Sequence, residues 1–220
     1  MRNYFLVVLC FISVSSFSQL SFGVKGSFQM AKLFDKGSNQ QYYNLSNINT
    51  IEAGLVVEKN LNKYFFIQSG VGYNQKGGYK EFTGLATSGS TTTLKVNYIQ
   101  IPVNILYKEN ITKSIKLLLS VGFYGAAGIS GTEKGFDKTN SGTTTIDRSV
   151  QFTNSTTYIN NATLVKPVDF GYNLAGGIEW KKFQFTIDFS RGFQSIFPVG
   201  TTNFANQTLG LSVAYLLPWK

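Results

Sequence analysis

From Gln19 onward apolar and polar residues alternate with a period of two, and no stretch sustains the 3.6-residue apolar period of an amphipathic helix. Phe22, Val24, Gly26 and Phe28 form one face of a first run. Ile51, Ala53, Leu55 and Val57 do so in a second, and Phe65, Ile67, Ser69, Val71 and Tyr73 in a third. Further runs carry Ile99 to Tyr107, Leu117 to Ile129, Phe170 to Trp180, Phe183 to Phe189 and Leu209 to Leu217 at alternate positions. These eight runs predict eight β-strands, each about the length that a tilted membrane-crossing strand needs.

The connections alternate as strictly as the residues. Short turns are expected at 59–63, 108–114 and 181–182. Long segments rich in Gly, Ser, Thr and Asn are expected at 35–49, 77–92, 131–166 and 192–206. In an all-β, antiparallel, up-and-down barrel this places every short turn at one end. That is the asymmetry of a transmembrane β-barrel with short periplasmic turns and four long outer loops. Pro102 lies inside the fourth run, where it cannot donate to the ladder. The apolar parity also changes there, because Leu94 and Val96 are out of phase with Ile99 and Ile101, so a β-bulge is expected near Tyr98.

The polar face decides which side is out. It carries Gly54, Gly70, Gly72, Gly122, Ala126, Gly171, Ala175, Gly177 and Gly210, small residues that suit a crowded eight-strand lumen better than a solvated sheet face. The apolar face then meets lipid, and Tyr107, Phe170, Tyr172, Trp180 and Phe183 are candidates for membrane-interface girdles. Lys25, Glu52, Glu58, Lys116, Glu179 and Asp188 fall on the inner parity. They are expected to form a structural ion-pair network that plugs the lumen, since buried charges must be paired. Lys76 is placed near one rim, and Arg191 falls on the aromatic parity at the outer rim without an assigned role. Lys59, Lys63, Lys108, Lys113, Lys181, Lys182 and Lys220 are read as solvated residues of the turn end; the other reading is contact with acidic lipid headgroups or an acidic partner.

Composition narrows the chemistry. The 220 residues suit one domain, and 15% aromatic residues against 14% charged ones is a sheet-protein balance. Residues 1–18 are expected to be a cleaved signal peptide: Arg2, the apolar run Tyr4–Val14, then Ser16-Phe17-Ser18 ahead of Gln19. That leaves 19–220 as the barrel domain. Cys10, the single cysteine, lies in the apolar run, and histidine is absent throughout. The mature part is therefore denied disulfides, thiolate or imidazole metal sites, Cys nucleophiles and a Ser-His-Asp triad. No catalytic residue, metal or cofactor is expected, and the protein is read as no enzyme. The net charge of +9 comes from scattered lysines rather than a cluster, so nucleic acid is not an expected partner.

Phe22-Gly23-Val24-Lys25-Gly26, Gln68-Ser69-Gly70-Val71-Gly72-Tyr73, Tyr98-Ile99-Gln100-Ile101-Pro102-Val103 and Leu209-Gly210-Leu211-Ser212-Val213 occur in an order and spacing that resembles the PorT-like outer-membrane β-barrel family. The resemblance implies an eight-strand barrel in the cell outer membrane. One founding member is associated with type IX secretion, so a periplasmic secretion-system partner joins outer-membrane lipid and an extracellular ligand among the expected partners. Three functional readings follow: a structural or surface-binding barrel acting through its outer loops, a narrow channel or transporter for small solutes, and a soluble periplasmic lipocalin-like barrel.

Overall fold

The computed structural model describes residues 20–37, 42–85, 88–139, 142–155, 162–198 and 203–218; the expected signal peptide lies outside the described residues. The chain is all β. The described residues form eleven strands: β1 (Leu20–Asp35), β2 (Tyr43–Ser46), β3 (Ile48–Asn60), β4 (Phe65–Leu85), β5 (Ser88–Asn110), β6 (Ile115–Thr139), β7 (Gly142–Phe152), β8 (Ala162–Val165), β9 (Val168–Trp180), β10 (Phe183–Gly192) and β11 (Phe204–Pro218). Antiparallel pairings run β1-β3-β4-β5-β6-β9-β10-β11 and return to β1, so these strands close a ring with no free edge. Closure is the physical answer to the unpaired groups of a sheet edge. The short β2 and the β7–β8 pair extend the sheet beyond the ring.

The register fixes the tilt. Phe22 pairs with Val57, and the row continues through Ser69, Val103, Phe123, Tyr172, Arg191 and Gln207 to Lys32, ten residues further along β1. A stagger of that size around such a ring inclines the strands by about 40°. Outward side chains are apolar and bare: Phe28, Leu55, Phe123 and Leu211 are all more than half exposed. On the inner face, neighbouring strands approach closely at glycine pairs. Gly54 faces Gly72 across β3 and β4, and a Cβ on Gly54 would lie 2.6 Å from the Gly72 Cα.

Two expectations are corrected. Much of the segments read as loops at 77–92 and 131–166 is strand, because β4, β5 and β6 run on as hairpins and β7 folds back along β6. Thr91–Thr93 and Thr143–Thr145 are β-branched and pair well, but with polar residues on both faces they give no alternation to read. The bulge near Tyr98 exists, but on the neighbouring strand. Asn97 pairs with Ser130 and Tyr98 with Gly128, leaving Ile129 of β6 as the extra residue. β5 keeps one parity throughout: Leu94, Val96, Tyr98 and Gln100 all point inward and are buried. What changes is the interior, which turns apolar at that height. Pro102 is accommodated by a break in the β4–β5 pairing, which stops at Ser69↔Val103 and resumes in the same register at Gly72↔Gln100, and its carbonyl accepts the Ser69 hydroxyl at 2.8 Å.

Candidate functional site

The alternation that builds the ring also stacks charge inside it in layers. At the end of the short turns, Lys108 of β5 contacts the carboxylates of Glu58 (β3) and Glu179 (β9). Lys116 reaches the other oxygen of Glu179 at 2.9 Å. Gln184 donates to both acids, at 2.9 and 3.1 Å, and Gln68 to Glu58 at 3.1 Å. The Phe66 ring lies 4.4 Å from the Lys108 amine. Two ammonium groups thus face two carboxylates, with amides filling the remaining acceptor positions, which is how a low-dielectric interior tolerates ions.

Lys25 of β1 makes the second layer, 2.9 Å from Asp188 and 3.7 Å from Glu52. Gln29 donates to Glu52 at 2.6 Å, and Ser212 bonds Asp188. A polar cavity of ≈ 60 Å³ opens here between Lys25, Glu52, Asn74, Asn104 and Asp188, room for a handful of water molecules.

The third layer pairs Lys76 (β4) with Asp169 (β9) at 3.2 Å, both completely shielded from solvent. Tyr124 and Asn206 donate to the same Asp169 oxygen at 3.2 and 3.0 Å. The Lys76 amine sits 3.7 Å from the Tyr124 ring centre and 5.5 Å from that of Tyr98, a desolvated cation–π arrangement. Immediately beyond it an apolar plug seals the ring. Leu33, Leu94, Val96 and Phe204 come from the wall, while Val165 of β8 and Ile196 of the β10–β11 connection fold in across the mouth. Backbone bonds from Lys166 to Ile196 and from Ile196 to Phe204 fasten them.

The expected interior set therefore lies in two groups, Lys25–Glu52–Asp188 and Glu58–Lys116–Glu179. The cation that joins the second group, Lys108, is corrected from a solvated turn residue to a buried one. Its even position on β5, in step with Gln100 and Asn104, was the readable signal. Lys76 is corrected from a rim residue to a buried one beneath the plug, and its partner Asp169 stood on the inward parity of β9. Lys63, Lys113, Lys181 and Lys182 are exposed, and Lys59 is half-buried. Lys220 lies outside the described residues. Among the described residues no group of acidic side chains converges to hold a metal ion.

Outward aromatics gather at two heights. Tyr107 packs on Phe65 and Tyr64 near the turns, where Phe183 meets Tyr215 and lies opposite Trp180. Phe170 and Tyr172 meet Phe193 toward the other end.

A closed ring with aliphatic and aromatic side chains outside and paired charges within defines a membrane β-barrel. The family comparison gives the class its name: the model of the outer membrane protein beta-barrel domain matches residues 15–198, and the chain belongs to that family. No curated protein matches it. Similar solved structures include OprG from Pseudomonas aeruginosa (TM-score 0.48, 9% identity, 92% of this chain and 98% of that one). Neisserial surface protein A (0.42, 12%, 88% and 96%) and Ail, the attachment invasion locus protein of Yersinia pestis (0.41, 8%, 90% and 99%), are also similar.

Proposed function

We propose that the chain is exported by a cleaved signal peptide (1–18) and crosses the outer membrane as an eight-stranded barrel (19–220). Short turns face the periplasm, and the barrel acts without catalysis, by binding at its outer end. The two aromatic belts support the crossing. Phe170 and Trp180 are ten residues apart on β9, about 33 Å along the strand and about 25 Å along the axis at the tilt above, the height of an apolar band. The motifs around Phe22–Gly26 and Tyr98–Val103 support the PorT-like branch, with a periplasmic secretion partner as the second contact.

The observation that carries a binding rather than a conducting role is the plug beyond Lys76. Purified barrel in liposomes is expected to pass neither sugars nor small ions in a swelling assay; rapid flux would overturn this reading in favour of a channel.

Beyond the plug, β4, β5 and β6 continue to 21, 23 and 25 residues, far more than the crossing requires. With β2 and β7 they curve into a cleft of ≈ 350 Å³ lined by Tyr43, Phe82, Lys80, Glu133, Asp137 and Arg148. Aromatic faces beside opposed charges suit a polar, uncharged or zwitterionic extracellular ligand. Burial pushes the Glu133 carboxyl up, but Lys80 at 2.8 Å and hydroxyls from Thr163 and Thr92 outweigh it, so its pKa lies below the ordinary 4.5. A depressed carboxylate stabilises the fold above its unfolded pKa, and that contribution is lost as pH falls through the folded value. Protection against amide exchange in β7 and β8, taken relative to the intrinsic rate at each pH, is therefore expected to fall as pH drops below 4.5, and Glu133→Gln to remove that dependence.

A further inference from the structure

Along β1, β10 and β11 the outward-facing residues are apolar up to the outer aromatic belt, and two cations then break the pattern. Arg191 lies eight residues above Phe183 on β10, about 20 Å up the barrel axis. It is flanked in register by Tyr172 of the belt and by Gln207 of β11; Gln207 in turn pairs with Lys32 of β1. Lys32, Gln207 and Arg191 form a row across three neighbouring strands, with Cα atoms of the two cations about 10 Å apart. No acidic side chain shares the outward face of these strands.

The guanidinium is held in place. Its Nε and Nη2 donate to the Gln207 Oε1 at 3.0 and 2.6 Å, and it stacks 3.9 Å from the Phe34 ring centre and 5.6 Å from that of Phe189. Its other N–H groups, like the Lys32 ammonium, have no protein partner among the described residues. A cation at the edge of hydrocarbon reaches for an acceptor in the headgroup layer, and a fixed guanidinium fork matches phosphate oxygens.

We propose that this row binds the phosphate of a phosphorylated glycolipid in the outer leaflet. The site rests on the membrane-barrel reading and adds a ligand to it. Arg191 makes the bidentate contact, Lys32 adds a point charge from the adjoining strand, and Gln207 fixes the guanidinium between them. The polar set Tyr73, Gln75, Asn97 and Ser130 lies on the outward face of β4–β6, as a headgroup boundary at this height requires.

The test titrates folded full-length barrel in zwitterionic micelles with diphosphorylated lipid A, with the same lipid stripped of phosphate, and with inorganic phosphate, reading bound species by native mass spectrometry. The diphosphorylated lipid is expected to bind, the stripped lipid and inorganic phosphate far less. Binding should weaken about tenfold or more in R191Q/K32Q and stay unchanged in K181Q/K182Q at the turn end. Equal binding of the stripped lipid, equal occupancy by inorganic phosphate, or an unaffected R191Q/K32Q would each overturn the proposal. A heat-modifiability gel separates the two failures: loss of the shift between boiled and unboiled parent protein defeats the barrel reading itself.

Discussion

Lys108→Met is expected to destabilise the barrel by about 3–5 kcal/mol, because it strands Glu58 and Glu179 inside with only Lys116 left as a counter-ion. The Lys108 side chain is 2% exposed, and the amides of Gln68 and Gln184 already donate to Glu58. The measurement is urea unfolding of lipid-folded protein, followed by tryptophan fluorescence. The K108M/E58Q double variant separates charge from packing. It leaves Glu179 with Lys116 and Gln184, and is expected to recover all but about 1 kcal/mol of the loss, since a buried pair replaced as a unit costs little. A double variant as unstable as K108M would show that the lysine's packing on Phe66, rather than its charge, holds this end together.

Asp169→Asn comes next in size, about 3 kcal/mol or more, for the same reason at the opposite end. One Asp169 oxygen receives Lys76, Tyr124 and Asn206. An amide in its place leaves an ammonium in a dry pocket with only the faces of Tyr124 and Tyr98 to offset its charge. The plug rests on this layer, so the loss is expected to show first as faster hydrogen exchange in β8 and residues 193–198, before the ring opens. K76M/D169N is expected to restore most of the protection. Unchanged exchange in D169N would mean that the plug stands on its apolar contacts alone.

The two clusters show how far the chain could be read in advance. Period-two alternation put Glu58 and Glu179 on one parity of their strands, and both side chains are buried; a strand's parity is local, and a closed wall enforces it at every residue. Lys108 sits on the same parity, yet turn composition argued for solvent. Whether a lysine two residues from a strand's end turns in or out depends on finding acids across the lumen, and those come from β3 and β9. Leu94 and Val96 misled in the opposite sense. Their apolar character suggested the lipid face, whereas burial against Val165 and Ile196 turned them inward.

The sequence by itself determined the class: an all-β wall, its apolar and polar faces, the short turns, the absence of histidine, and a single cysteine at position 10. Each of these is a property of neighbouring residues or of composition. Tertiary structure alone decided which charges meet, where the interior changes from ionic to apolar, that β4 to β6 run on past the ring, and that Arg191 comes to lie in one row with Lys32. Most of those features join residues far apart in the chain through the stagger of the ring, and a stagger is set by closure of the whole sheet rather than by any single strand.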